Sequence, residues 1–200
     1  MCRREGTKLN LKGDKCATAK CPVSRRAFPP GQHGPTQRVR LTGYGTQLRE
    51  KQKAKNTYGI LERQFRNYFE KAASGSGNTA ERFVQLLEMR LDNIVYRLGI
   101  AKSRASARQM IGHGSILVDG KKVTIPSYQC VMGEVVTVAA RHQKSRSFQE
   151  EQSRQGDNRE TPSWIHFDKA TVTGKILSKP EGEDLNQNFN PKLIVEFYSR

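Results

Sequence analysis

The segment LGIAKSRASARQMIGHGSILVDGKK, residues 98–122, decides the reading of this chain. Ser103 has the short hydroxyl side chain of a helix N-cap, and after it Ala107, Met110 and Ile111 recur at the spacing of one helix face. Arg104 and Arg108 lie four apart on another face. Gly112 and Gly114 bracket His113 and stop the helix, Ser115 to Val118 suit a strand, and Asp119-Gly120 signals a two-residue hairpin ahead of Lys121 and Lys122. The expectation is a helix that buries one stripe and runs into a tight hairpin. Lys102, Arg104, Arg108, Lys121 and Lys122 then converge as a surface for gripping phosphates. An ordinary solvated amphipathic helix has the same local pattern, so composition must separate the two readings.

Composition favours a polyanion partner. Lys and Arg number 35 against 19 acidic residues, a formal charge of +16 with a pI near 10.0. The hydrophobic fraction of 35% and mean hydropathy of −0.74 are low for a self-contained globule of 200 residues, so much of the chain is expected to lean on a partner. The charge is uneven. Residues 1–60 carry fourteen basic and three acidic residues, 61–146 carry fourteen and seven, and 147–200 carry seven and nine. The C-terminal quarter is therefore expected to close a core or meet a protein, and the first three quarters to face nucleic acid. No apolar run approaches a membrane span or a secretory signal, which leads to the expectation of a soluble, intracellular chain without a membrane partner.

Outward from the central segment the organisation is legible. Residues 1–46 form a basic arm whose Phe28-Pro29-Pro30-Gly31-Gln32-His33-Gly34-Pro35 forbids helix and favours a fixed, extended loop. Helical stretches follow at Gln47–Asn56, with Arg49, Lys51 and Lys53, and at Leu61–Ala73, where Arg63 and Arg66 stand among Phe65, Tyr68 and Phe69. Phe65 and Phe69 are assigned to the core, because base-stacking aromatics usually sit on exposed sheets or loops. Ser74-Gly75-Ser76-Gly77 reads as a joint, and Asn78 with Glu81 as a capping box. The stripe Val84, Leu87, Leu91, Ile94, Val95 and Leu98 predicts one helix stopped at Gly99. Strands are expected at Glu134–Ala139, Trp164–Phe167, Gly174–Leu177 and Leu193–Tyr198, with a loop or solvated helix around Ser147–Gln155.

Three of the four cysteines, Cys2, Cys16 and Cys21, crowd the start of the chain. So few, so placed, they fit metal binding in a reducing compartment better than a secreted disulfide framework. Free thiols in a loop held by RNA remain the other reading. Cys130 reads as a small buried residue. The histidines have no nucleophile or metal-helix spacing and the chain lacks a phosphate-binding glycine loop of the Walker kind, so no catalytic constellation is expected.

CRREGTKLNLKG near the start, FPPGQHG at 28–34, LREKQK at 48–53, YGILERQFRNYF at 58–69, LEMRLDNIVYRLG at 87–99 and the closing LIVEFYSR resemble the bacterial type of the small-subunit ribosomal protein family S-four. The match covers nearly the whole chain. The resemblance implies an α+β architecture: a helical domain, an inserted S-four RNA-binding module of helices and a small antiparallel sheet, and a basic extended N-terminal arm. The expected division is 1–46 for the arm, 47–88 for the helical domain, 89–172 for the module and 173–200 for a segment that packs back on the helical domain. It also implies direct binding of 16S ribosomal RNA early in small-subunit assembly, contact with neighbouring small-subunit proteins, and a place near messenger RNA where it enters the subunit, with an effect on decoding accuracy. The location implied is the cytoplasmic ribosome, or an organellar one.

In the cysteine-bearing branch of that family, the positions of Cys2, Cys16 and Cys21 belong to a four-thiolate site for zinc or an iron-sulfur cluster. Here the fourth ligand is missing: the family's first cysteine falls just ahead of Met1, so the start given is trimmed or another group, such as His33, serves. The RNA contacts expected are Lys102, Ser103, Arg104, Arg108, His113, Lys121 and Lys122 in the module, and Arg49, Lys51, Lys53, Arg63 and Arg66 in the helical domain. In the arm they are Arg3, Arg4, Lys8, Arg25, Arg26, His33, Arg38 and Arg40. For His33 and His113, bonding a phosphate and stiffening a loop are both open. An RNA-modifying or aminoacylating enzyme with an appended module is the chief rival, but such enzymes need a separate catalytic domain, for which little sequence is left.

Overall fold

A computed structural model describes residues 1–36, 40–145, 148–149, 161–185 and 187–200. The chain divides into two compact units, Met1–Val84 with Asn186–Arg200, and Gln85–Leu185.

The first unit begins with three single-turn helices, α1 (Cys2–Glu5), α2 (Asp14–Ala17) and α3 (Pro22–Arg25), where sequence reading expects an extended arm. Gly6 ends α1 in the left-handed region at φ 67°, and Leu9, Cys16 and Cys21 are buried beneath these turns. The loop after α3 folds tightly on itself. A Cβ on Gly34 would stand 2.0 Å from the Pro29 carbonyl oxygen, so only glycine fits there.

Two longer helices follow, α4 (Gly43–Tyr58) and α5 (Glu62–Ala73). Thr42 caps α4 by accepting a bond from the Gly45 amide at 3.1 Å. Phe65 and Phe69 are core residues, as expected: Phe65 meets Phe83 edge-on at 5.1 Å and Phe69 stacks on Tyr198 at 4.8 Å. The Tyr198 ring belongs to the C-terminal helix, α9 (Pro191–Tyr198), where the apolar run LIVEFYS predicts a strand. Local β-propensity loses here to packing and capping. Asn190 accepts from the Lys192 amide at 3.0 Å and Pro191 occupies the first turn. Ile194, Phe197 and Tyr198 then recur at helical spacing, with Phe197 against Tyr44 at 5.6 Å and Gln47 donating to Glu196 at 2.9 Å.

Asn78 caps α6 (Thr79–Glu88), accepting from the Ala80 amide at 3.0 Å and donating to Glu81 at 2.8 Å. The stripe read as one helix from Val84 to Leu98 is broken after Glu88. Met89 and Arg90 pair instead with the strand-like segment at 128–130, Cys130 donating its amide to Met89 and Leu91 to Tyr128, both at 2.9 Å. A new helix, α7 (Leu91–Arg97), then carries the rest of the stripe.

In the second unit α7 packs against α8 (Arg104–Gly112). The antiparallel sheet has the order β2-β1-β3-β5-β4, with β1 Ile116–Val118, β2 Lys121–Lys122, β3 Val135–Val138, β4 Ile165–Asp168 and β5 Thr173–Ile176. Ile94, Val95, Leu98, Ala107, Ile111, Ile116, Val136, Trp164 and Ile176 form its core. The 173–176 strand is an interior member of this sheet, so the module side of the fold runs past the boundary drawn at 172. Gly174 lets helix and sheet close up: a Cβ there would fall 2.3 Å from Leu98 Cδ1. The stretch around Ser147–Gln155 lies almost wholly outside the described residues.

Candidate nucleic-acid interface

The turn between β1 and β2 has Asp119 at φ 47° and Gly120 at φ 76°, the two left-handed positions of the tightest hairpin turn. It sends Lys121 and Lys122 out as exposed side chains on an edge strand. The aliphatic stem of Lys122 crosses Gly114, where an added Cβ would meet Lys122 Cε at 1.8 Å. That close approach sets Lys122 beside the C-terminal end of α8 and exposed His113. At the other end of α8, Ser103 is buried and caps the helix by accepting from the Ser106 amide at 3.2 Å, while Lys102 is exposed. Ser103 thus serves the frame of the basic surface.

Arg104 and Arg108 stand differently from the sequence expectation. Arg104 is buried, its guanidinium 4.5 Å from the Tyr96 ring centroid and its Nε donating to Asn93 Oδ1 at 2.8 Å. Arg108 donates Nε to Asp92 Oδ2 at 2.7 Å. That carboxylate, itself buried, also receives Arg90 through Nε at 3.0 Å and Nη2 at 2.8 Å. Asn93 donates in turn to the Glu88 backbone and side chain, both at 2.8 Å, and Arg97 holds the same Glu88 carboxylate with two bonds of 3.0 Å. The helical spacing of Arg104 and Arg108 is as read. Their partners are acidic and amide groups on the preceding helix, so they hold α7 to α8 and set the exposed lysines on a rigid base.

A similar sorting holds in the first unit. Lys51 is buried, bonded to Glu62 at 2.6 Å and lying over the Phe197 ring at 4.8 Å. Burial alone would raise the Glu62 pKa, but bonds from Lys51, Lys55 and Tyr198 outweigh it and bring it to about 2. Arg49 pairs with Glu5 at 3.4 Å, Lys53 with Glu50, and Arg66 with Glu70 at 3.1 Å along one helix face. Arg63 is exposed. Lys51 and Lys53 are therefore tied into packing, and Arg63 and Arg66 stand on the surface.

In the arm, Arg3 donates to the carbonyls of Phe28 and Pro29 at 3.0 and 3.1 Å and lies over the Phe28 ring at 4.8 Å, clamping the proline loop. Arg4, Lys8, Arg25, Arg26, His33 and Arg40 are exposed; Arg38 lies outside the described residues. Two lysines not singled out from sequence, Lys15 and Lys20, join Arg3, Arg25 and Arg26 around one cleft. Their signal in the sequence was charge alone.

Cys2 is half-buried, and Cys16 and Cys21 are buried. The Lys12 amide donates to Cys16 Sγ at 3.3 Å, and the backbone amides of Ser24 and Val23 lower the Cys21 thiol pKa. The metal site expected from these positions is not assembled: among the described residues no three His, Cys, Asp or Glu side chains gather as a metal-holding group. Among the described residues the structure therefore gives zinc or an iron-sulfur cluster no support. Among the described residues no helix is long and apolar enough to cross a membrane.

Residues 1–88 match the family described as Ribosomal protein S4/S9 N-terminal domain, and residues 89–136 match the S4 domain. The chain is 54% identical to small ribosomal subunit protein uS4 of Dictyoglomus turgidum, over all of its own length and 95% of that protein. Its identity is 48% to protein uS4A of Alkaliphilus metalliredigens and 48% to protein uS4 of Clostridium tetani, with the same coverage in both.

Proposed function

The chain belongs to the uS4 family of small-subunit ribosomal proteins, and from that premise we propose that it binds 16S ribosomal RNA directly, by phosphates and 2′-hydroxyls more than by base edges. The observation that carries this reading is the set of exposed Lys102 and His113 at the two ends of α8 and Lys121 and Lys122 on the hairpin, beside a buried arginine network. Side chains carried on a fixed backbone lose less freedom on meeting a phosphate than those of an unfolded segment, so contacts from this frame cost less ordering. The RNA-gripping module is the 89–172 region extended by the 173–176 strand, and the arm, with Arg4, Lys8, Arg25, Arg26 and Arg40, follows the RNA beyond it. Arg63 and Arg66 add surface charge from the helical domain.

Binding that needs no other protein makes the chain an early assembly component. The acidic C-terminal quarter faces neighbouring small-subunit proteins, and the assembled protein stands near messenger RNA where it enters, with an influence on decoding accuracy. It works in the ribosome and catalyses no reaction. The test is hydroxyl-radical footprinting of protein-free 16S RNA with the full chain. A compact protected region that fades in Lys102→Gln/Lys121→Gln/Lys122→Gln is expected; equal protection by parent and variant would remove the module face from the binding surface.

A further inference from the structure

Lys122 is the second residue of the short edge strand β2 and pairs with Leu117, whereas Lys121 pairs with Val118. Side chains alternate along a strand, so Lys121 leaves on the side of Val118, which is buried in the core, and Lys122 leaves on the other. Two lysines with opposite starting directions do not make one phosphate-binding surface by themselves. What redirects Lys122 is the backbone that its stem crosses.

That backbone is Gly114, which joins the end of α8 to β1. A Cβ on Gly114 would stand 3.1 Å from Lys122 Cδ and 2.6 Å from Nζ, and closer still to Cε. Three successive atoms meet one point, so the stem lies flat across the glycine. The floor beneath it is fixed: the Gly114 amide donates to the Ile111 carbonyl at 2.8 Å, and the Ser115 amide to the Met110 carbonyl at 3.0 Å. The C-terminal end of α8, where the helix dipole is negative, adjoins this seat and favours an ammonium there.

We propose that Gly114 is a positioning residue for RNA binding: the side chain it lacks is the seat of Lys122, and the seat holds the ammonium at the end of α8, where a backbone phosphate meets it. The proposal rests on the RNA-binding reading above and deepens it. Lys51 and Lys53 show the other way to hold a lysine, since a carboxylate fixes each of them and neutralises it. Lys122 is held through its methylenes by main chain, which fixes the charge without cancelling it. A seated side chain has less rotamer freedom to lose when phosphate arrives, a difference of about two- to tenfold in affinity. Gly114 also has φ 68°, a conformation that favours glycine in any case. Asparagine accepts that conformation and still fills the seat, so Gly114→Asn separates the two demands.

The experiment is a double-mutant cycle on the full chain, with binding to protein-free 16S RNA measured across a range of salt for the parent, Gly114→Asn, Lys122→Gln and the double variant. Lys122→Gln is expected to lose roughly 0.7–0.9 of the log-log salt slope, the share of one phosphate contact. Gly114→Asn is expected to weaken binding about two- to tenfold in the parent and to have no effect in the Lys122→Gln background. The same loss in both backgrounds assigns Gly114 to the backbone alone and overturns the proposal, as does parental binding by Gly114→Asn. Parental binding by Lys122→Gln overturns it too and leaves the RNA-binding reading to the other lysines, whereas a parent that binds no RNA overturns that reading itself. A second measurement needs no variant at 114: NMR relaxation of the lysine ε-methylenes in the free parent should give Lys122 a higher order parameter than Lys121. Equal order parameters remove the seat, whatever Gly114→Asn does to folding.

Discussion

Asp92→Asn removes one charge from a deeply buried ion pair of the second unit while keeping the side chain's shape. The side chains of Asp92 and Arg90 are 2% and 3% exposed. Breaking such a pair from one side costs about 3–5 kcal/mol, because the remaining guanidinium is left in the interior without its carboxylate. Arg108 loses the same partner, but its side chain is 29% exposed and water takes over, so its share is small. Against a total stability of roughly 5–15 kcal/mol, the loss should shift the unfolding of this unit by a large fraction of its range. The single tryptophan, Trp164, lies in the same core and is 1% exposed, so its emission during urea unfolding reports this unit. Replacing both partners, Arg90→Met with Asp92→Leu, should recover most of the loss, since neither buried charge then remains. A midpoint for Asp92→Asn within about 1 kcal/mol of the parent would refute the reasoning that this network supports the frame.

Other perturbations test separate parts of the account. Gly174→Ala places a methyl group where Leu98 Cδ1 would be 2.3 Å away, and should cost about 1–3 kcal/mol by Trp164-monitored unfolding; Leu98→Ala in the same chain should add less than it does alone. Phe65→Ala, at a site with 0% exposure against Phe83, should cost about 3–5 kcal/mol in the first unit by calorimetry, and a loss below about 1 would place the ring outside the core. Glu62 has a folded pKa of about 2 against an ordinary 4.5, so its contribution is complete above pH 4.5 and is lost as pH falls toward 2. Glu62→Gln should therefore narrow the difference in melting temperature between pH 5 and pH 3, and an unchanged difference contradicts the assignment. Arg104→Glu should lower the melting temperature of the second unit, because the charge reversal faces Asn93 and Tyr96; a variant that melts like its parent contradicts a buried Arg104.

The parts of the fold written in short-range sequence were legible. Ser103 caps α8, Asp119-Gly120 turns the hairpin, Gly99 stands at φ 76° after α7, and Phe65 and Phe69 are buried. What failed was decided by distant residues. The LIVEFYS run has the β-branched content of a strand, and becomes helical because α4 offers its face to one stripe of it. The break at Met89–Arg90 depends on a backbone partner near residue 129, which no periodicity in the stripe reveals.

The basic surface was legible in sign and only partly in role. A cation's charge is visible in sequence, but the acid that neutralises it is not: Arg108 meets Asp92 sixteen residues away, and Arg49 meets Glu5 across 44. Lys15 and Lys20 failed to stand out for the converse reason, since only the folded turns bring them to the same cleft as Arg3, Arg25 and Arg26.

The most direct test of the RNA-binding reading is the salt dependence of equilibrium binding to protein-free 16S RNA, for the full chain and for Lys102→Gln/Lys121→Gln/Lys122→Gln. Saturable binding at near-physiological salt is expected, with the variant's log-log slope shallower by about 2–3. No binding by the parent, or the same steep slope in both proteins, would contradict the claim that these exposed lysines grip the RNA.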